Sequence, residues 1–287
     1  MLEENGKKYD AVCGMYLDDM PDLKTVFHNQ SEYHFCGEGC AKRFEKTPER
    51  FLGNPLIKIR DLCKNFGIGE SQTKVLKDIN LNIWEGDSLA IIGASGSGKS
   101  TLLNMIGLLD TPSSGTIFIR DREIGTLNSE DRALLRAKTF GFVFQQYNLI
   151  PWLSVYDNIA LPMIFAGADS RVDSSAIKKS VEQVGLSHRI THRPYELSGG
   201  EQQRVAFLRA LANDPEVIIG DEPTGNLDSK TGNEILDMLT EQNVNRKKTL
   251  VIVTHDIDIA EKAHEIVVIK DGQTIRDQRV HEKIYAE

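Results

Sequence analysis

The stretch SLAIIGASGSGKSTLLNMIGLL, residues 88–109, decides how this 287-residue chain is read. An aliphatic run ends at Gly93. The loop Gly93, Ala94, Ser95, Gly96, Ser97, Gly98, Lys99, Ser100 follows, and Thr101 leads into a helix with apolar Leu102, Leu103, Ile106 and Leu109. This is the spacing G-x-x-x-x-G-K-[ST] in a strand–loop–helix setting, the arrangement that cradles phosphate. Glycines let backbone N–H groups converge on phosphate oxygens, and the helix N-terminus adds positive potential. Lys99 is expected to reach the β- and γ-phosphates of a nucleoside triphosphate, and the Ser100 hydroxyl to hold Mg²⁺. Such a loop specifies the triphosphate alone, because many unrelated functions share it.

Working outward, strand candidates fall at residues 56–62, 78–83, 88–92, 115–119, 139–144, 217–220, 249–254 and 265–270, with helical stretches after several of them. This alternation predicts an α/β domain around a largely parallel, mixed central sheet. Residues 147–195 show no strand pattern and read as a helical insertion. The formal net charge of -8 argues against a general nucleic-acid binder, whose footprint is basic. MLEENGKKYD at the start lacks the apolar core of a secretory signal. No apolar run approaches the roughly 18 residues of a membrane span. These features lead to the expectation of a cytoplasmic protein whose thiols stay reduced.

VIIGDEPTGNLD, residues 217–228, supplies a second strand end. Asp221 is placed to hold Mg²⁺, and Glu222 to polarise an attacking water, because water is a poor nucleophile without a positioned base. YELSGGEQQRVAFLRAL, residues 195–211, puts Ser198, Gly199 and Gly200 at the start of a helix, a second anion-binding terminus. With these motifs in order, the chain resembles the ATP-binding cassette (ABC) ATPases of membrane transporters over residues 56–270. The cassette is assigned to residues 56–287, with a helical subdomain at about 147–210. The resemblance implies further site residues. Gln145, after GFVF, would sense Mg²⁺ and the water. His255, in VIVTHD, would touch the γ-phosphate, and Asp228, in GNLD, would lie at the nucleotide. Phe66 would stack on adenine, a contact of roughly 1–3 kcal/mol in nucleic-acid complexes, although an aromatic at that place also suits a core.

In this family LSGGE faces ATP held by another subunit. The resemblance therefore implies two cassettes closed over two MgATP, as a homodimer or with a different cassette. GFVFQQYNLIPWLSVYDNIALP and DEPTGNLDSKTG resemble the branch of lipoprotein-release, macrolide-export and cell-division cassettes. There residues 147–165 would line a groove for a helix of a separate transmembrane permease. That implies an exporter-type ATPase subunit, peripheral on the cytoplasmic face of the membrane. The alternative is a soluble, metal-responsive ABC ATPase not coupled to transport.

Three of the four cysteines, Cys13, Cys36 and Cys40, lie in the first 40 residues. YDAVCGM (9–15) and YHFCGEGCAKRFEKTPERF (33–51) resemble the YHS domain, a small TRASH-like metal-binding module, assigned here to residues 1–53. Ala11 stands where that family has Pro, and Gly37 where it has the Ser of its name. Three thiolates suit Zn²⁺ or Cu⁺, and Cys36 and Cys40 share a face if Gly37 opens a helix. The fourth ligand is open among His34, His28, Met15 and water. Buried, inert cysteines are the competing reading. The isolated Cys63 reads as core. A metal here could gate the motor, be handed to a permease, or staple a small fold.

Overall fold

The computed structural model describes residues 3–4, 6–18, 20–67, 72–167 and 174–275. In chain order, the N-terminal elements are β1 Glu3–Glu4, β2 Lys7–Lys8, β3 Lys24–His28, β4 Ser31–Phe35, α1 Glu38–Lys46 and α2 Pro48–Phe51. Then come β5 Ile57–Phe66, β6 Thr73–Ile83, β7 Ser88–Ile92, α3 Lys99–Ile106, β8 Ser114–Ile119, β9 Arg122–Glu123, α4 Ser129–Thr139 and β10 Phe140–Phe144. The remainder is α5 Val155–Phe165, α6 Ser174–Gln183, α7 Gly199–Leu211, β11 Val217–Asp221, α8 Ser229–Val244, β12 Thr249–Val253, α9 Ile257–Ala260, β13 Glu265–Lys270 and β14 Gln273–Ile275. The chain forms two compact units, one of residues 1–85, 91–127 and 257–287, the other of residues 86–90 and 128–256.

The first unit is α+β at its N-terminus. β3 and β4 make a hairpin whose turn residues Asn29 and Gln30 both take positive φ, 47° and 63°, the twist that suits a two-residue connection. Gly37 precedes α1 in extended conformation, so the helix opens as its sequence suggests. Beside these lies an antiparallel sheet in the order β6-β5-β8-β9. β6 begins at Thr73, five residues before the expected start at Asp78. The register shifts between Leu62 and Lys64, and Asp78 takes φ 52°. That irregularity breaks the apolar alternation that marks a strand in sequence. β13 and β14 form an antiparallel hairpin.

In the second unit β10, β11 and β12 are parallel and in unbroken register, Phe140 opposite Val217 and Val217 opposite Thr249. Their runs FGFVF, VIIGD and TLVIV are nearly all buried, as a strand covered on both faces requires. Helices α5, α7 and α8 supply Val155, Ile159, Val205, Phe207, Ile235 and Leu239 to one core with Val143, Ile218 and Leu250. Among the described residues of 147–195 there is no strand, only α5, α6 and short 3-10 turns. The protein is thus α/β with a mixed sheet and a helical insertion, preceded by a small α+β region. Among the described residues, no helix is long and apolar enough to cross a membrane.

Candidate functional site

The phosphate loop belongs to the first unit. Gly93 sits at φ 154°, and a Cβ there would stand 2.2 Å from the Ile269 carbonyl oxygen. Gly98, the N-cap of α3, sits at φ 109°, and a Cβ would meet Leu76 Cδ2 at 2.9 Å and the Val75 oxygen at 3.1 Å. No side chain fits at either position, so the backbone is brought bare against its neighbours. The Lys99 ammonium donates to the Gly93 and Ala94 carbonyls at 2.8 and 2.9 Å, which holds its charge inside the loop. Ser97 Oγ is buried without a hydrogen-bond partner among the described residues. A cation on a bent loop of backbone N–H groups, with a spare buried hydroxyl, fits a polyphosphate. Phe66, at the end of β5, is 46% exposed with the Lys64 ammonium 4.9 Å from its ring centroid. The ring is therefore outside the core and has a face available to a flat partner.

The second unit holds the carboxylates. β11 delivers Asp221 to its C-terminal end, and Glu222 follows at φ 45°. A non-glycine residue in the left-handed region is strained, and such strain gathers at functional positions. Two backbone bonds hold it: the Glu222 amide donates to Val253 O at 2.9 Å, and Gly225 N donates to Glu222 O at 3.0 Å. His255 Nδ1 lies 3.3 Å from Glu222 Oε1, so the two side chains named from sequence do meet. Gln145 follows β10. Its carbonyl accepts from Asn226 Nδ2 at 2.9 Å, and a Cβ on Gly225 would strike its amide nitrogen at 2.7 Å.

Ser198 is the N-cap of α7 and forms a reciprocal capping box with Glu201. The backbone N–H of Ser198 donating to Glu201, with help from Arg189, holds that carboxyl below the usual carboxylate range. Gly199 and Gly200 are closely approached: a Cβ would come 2.8 Å from Tyr147 Oη and 2.6 Å from Thr231 Cγ2, respectively, so a side chain at either would displace its neighbour. Asp228 caps α8, accepting from the N–H groups of Lys230 and Thr231 at 3.1 Å each.

Gln203 escaped the sequence reading. It is wholly buried on α7 and donates through Nε2 to the carbonyls of Phe144 and Pro223, the residues adjoining Gln145 and Glu222. Both neighbours are acceptors, so the amide orientation is fixed. Only its repetition after LSGGE could have drawn attention to it. An apolar groove of about 720 Å³ in the same unit is lined by Leu134, Ala137, Phe142, Leu161 and Phe165 from α4, β10 and α5.

The cysteines form a separate centre in the first unit. Cys13 Sγ and Cys40 Sγ each lie 3.7 Å from Cys36 Sγ. Tetrahedral Zn–S bonds of about 2.3 Å set sulfurs about 3.8 Å apart, so the spacing suits such an ion. The fourth group is Asp10, which lies outside the expected set of His34, His28, Met15 and water. One ligand atom from each of Asp10, Cys13, Cys36 and Cys40 lies within 4.8 Å of the others, all four residues buried, so the cluster can hold a metal. His34 is instead turned to Thr25 and His28 to Glu49. Asp10 also knits the centre, accepting from Val12 N and Cys36 N at 2.8 Å each. Burial and the neighbouring Cys36 push its carboxyl well above the usual range. Contact with Cys36 pushes Cys13 up, and contact with Cys13 does the same to Cys40. A cation would relieve this crowding of acids. The signal was present in the sequence: Asp10 stands three residues before Cys13, where a carboxylate can fold back on the amides of the turn.

The phosphate loop and the acidic strand end place the chain among the α/β nucleoside triphosphatases. It belongs to the ABC transporter family, whose model matches residues 76–225, and it is an ATPase of that family. It is 42% identical over 233 residues to the macrolide export ATP-binding/permease protein MacB of Pasteurella multocida (strain Pm70), covering 81% of this chain and 36% of that one. With MacB of Bartonella quintana (strain Toulouse) it shares 45% over 222 residues, 77% and 34% of the two chains. The chain thus spans about a third of the length of these curated relatives. Among solved structures, the dimeric MJ0796, a bacterial ABC transporter cassette, matches at 43% identity and TM-score 0.72, over 77% of this chain and 97% of that one. The same cassette in a dimeric post-hydrolysis state bound to ADP and Pi matches at 41% and TM-score 0.71, over 77% and 97%.

Proposed function

We propose that the protein is the motor of an exporter-type transporter. Two cassettes close over two MgATP, as a homodimer or with a different cassette, and drive a membrane-embedded permease from its cytoplasmic face. The observation that carries this reading is the contact of His255 with Glu222 at the strained strand end. A carboxylate held by its backbone in one orientation, with an imidazole beside it, is suited to take a proton from water while the imidazole meets the γ-phosphate. The water oxygen bonds to the γ-phosphorus, the bond to the ADP oxygen breaks, and Glu222 receives the proton. Lys99 neutralises the β- and γ-phosphates. Ser100, Gln145 and Asp221 hold Mg²⁺, and Phe66 stacks on adenine. Ser198, Gly199 and Gly200 of one cassette meet the γ-phosphate on the other, with Asp228 alongside. The dimeric state of MJ0796 supports the pairing, and the permease in the name of the MacB relatives supports the transport role. The apolar groove beside the exposed Phe165 supports docking of a short permease helix there.

For the N-terminal region we propose a YHS-like module of residues 1–53 that holds Zn²⁺ or Cu⁺ on Cys13, Cys36 and Cys40, with Asp10 completing the set. The test of the motor is Glu222→Gln. Turnover is expected to fall by about 10²–10⁴-fold, while MgATP still binds and a dimer accumulates on size-exclusion chromatography. Normal turnover in that variant removes Glu222 from the role of base.

A further inference from the structure

We propose that the thiol cluster is an effector site, at which a bound thiophilic cation raises the affinity of the phosphate loop for ATP. This rests on the metal reading above and chooses among the roles the sequence left open. All four donor residues are buried, which disfavours handing an ion to an acceptor protein, since exchange needs an exposed sulfur. Attachment of the cluster to the cassette is the second observation.

Among the described residues, two of the attachments of the cluster lead to the phosphate loop. The first runs through β6. Asn82 N donates to Cys13 O at 2.8 Å, Asn82 Nδ2 to Ala11 O at 3.3 Å, and Trp84 Nε1 to Val12 O at 2.7 Å. Gly14 lies so close that a Cβ would stand 2.8 Å from Asn82. The loop bearing Cys13 is therefore fixed to the C-terminal end of β6. At the other end of the same strand, Val75 and Leu76 press on Gly98. The second attachment runs through β13. Helix α1 carries Cys40 and, one turn on, Arg43, whose guanidinium meets Glu265 at the start of β13 at 2.6 Å, both side chains largely buried. Further along β13, Ile269 O presses on Gly93, and beyond it Gly272 N donates to Ser97 O at 3.1 Å.

A cation on Cys13 and Cys40 therefore ties together the anchor points of β6 and β13. Those strands floor the loop closely at two glycines, Gly93 against the Ile269 carbonyl and Gly98 against the Leu76 side chain and the Val75 carbonyl. Close-packed contacts transmit a shift rather than absorb it. Binding at one end must then favour one arrangement of the other, and the coupling is reciprocal.

The test uses the full chain carrying Trp152→Phe, which leaves the buried Trp84 as the one tryptophan. Zn²⁺ binding is read from Trp84 emission and metal content, and MgATP binding from a fluorescent nucleotide. ATP affinity is expected to be about 5-fold or more higher in Zn²⁺-loaded than in stripped protein, within the usual span of allosteric coupling. Saturating MgATP should tighten Zn²⁺ binding by the same factor. The double substitution Arg43→Met with Glu265→Met cuts the β13 route without leaving a lone buried charge, and should shrink the factor at unchanged metal stoichiometry. Equal ATP affinity with and without Zn²⁺, in protein that binds one equivalent, overturns the coupling and leaves the metal site standing. Failure to bind Zn²⁺ or Cu⁺ at all overturns the metal reading beneath it.

Discussion

Two glycines of the phosphate loop show how much a single residue's conformation decides. Gly93 and Gly96 both take positive φ, at 154° and 76°, so both resist an L side chain. They differ in what surrounds them. A methyl group on Gly93 would lie 2.2 Å from the Ile269 carbonyl oxygen, and one on Gly96 would meet nothing within 4 Å. Gly96→Ala should therefore cost about 1–2 kcal/mol, the intrinsic penalty of the left-handed conformation. Gly93→Ala must also push β13 away from the loop, and should abolish nucleotide binding as well as lower the melting temperature. Nucleotide titration of both variants separates the cases; equal behaviour would mean the contact with Ile269 is not what requires glycine. The two positions look alike in the loop motif, and only the strand behind Gly93 tells them apart. Gln203 was hidden for the same reason, because it is identified by backbone groups far away in sequence, Phe144 O and Pro223 O. Asp10 did have a local signal, the Val12 and Cys13 amides it accepts from. The placement of Lys99 at the start of α3 and of Asp221 at the end of β11 was legible because strand, loop and charge are contiguous there.

At the scale of elements, helix α7 is specified locally. Ser198 and Glu201 close its N-terminus with reciprocal bonds, Ser198 N to Glu201 Oε2 at 2.8 Å and Glu201 N to Ser198 Oγ at 3.3 Å. The Glu201 carboxyl is held below the ordinary carboxylate range by the Ser198 backbone N–H. A group depressed on folding stabilises fully above its unfolded pKa and loses that contribution as pH falls through its lowered folded value. Glu201→Gln keeps an acceptor for Ser198 N but removes the charge from the positive end of the helix. It should cost about 0.3–1 kcal/mol at neutral pH and nothing below the lowered pKa, so the two denaturation midpoints converge in acid. A gap that persists unchanged to acid pH would show that shape, not charge, matters there. Where local signals were absent, the reading fell short. β6 looked like a short strand at 78–83 because exposed Thr73 and Lys74 and half-buried Lys77 break up its first half and Asp78 interrupts its regular pairing. The parallel strands β10, β11 and β12 were legible almost to the residue, because burial on both faces leaves short runs of almost uninterrupted apolar side chains.

For the whole molecule, the question is where the N-terminal module ends. Turn-forming residues at 47–55 mark the chain's passage into the cassette, and we place the module at residues 1–53 on that ground. Its core nevertheless draws on Trp84, the residue just after β6, which is buried against Val12, Phe35, Phe44 and Phe51 as one cluster. The Trp84 ring meets Phe51 edge-on at 5.1 Å, and its N–H satisfies the Val12 carbonyl. About 50 residues bury too little surface to be stable without help from a metal or a neighbour. Under the metal reading this module has both, an ion on the thiol cluster and the neighbouring end of β6. Removing the tryptophan should cost about 3–5 kcal/mol, as for other large aromatic truncations, and it also leaves a buried carbonyl unpaired. The two supports substitute for each other in part, so their loss should be felt jointly. Trp84→Ala is expected to leave the metal-loaded chain folded with a lowered first melting transition. Stripped of metal, the same variant should lose native amide dispersion for residues 6–53 while the cassette signals persist. The isolated segment 1–53, deprived of both supports, should show no cooperative melt until Zn²⁺ is added. A cooperative melt of that segment without metal would mean the module stands by itself, and β6 would then be a surface on which it rests rather than part of its core.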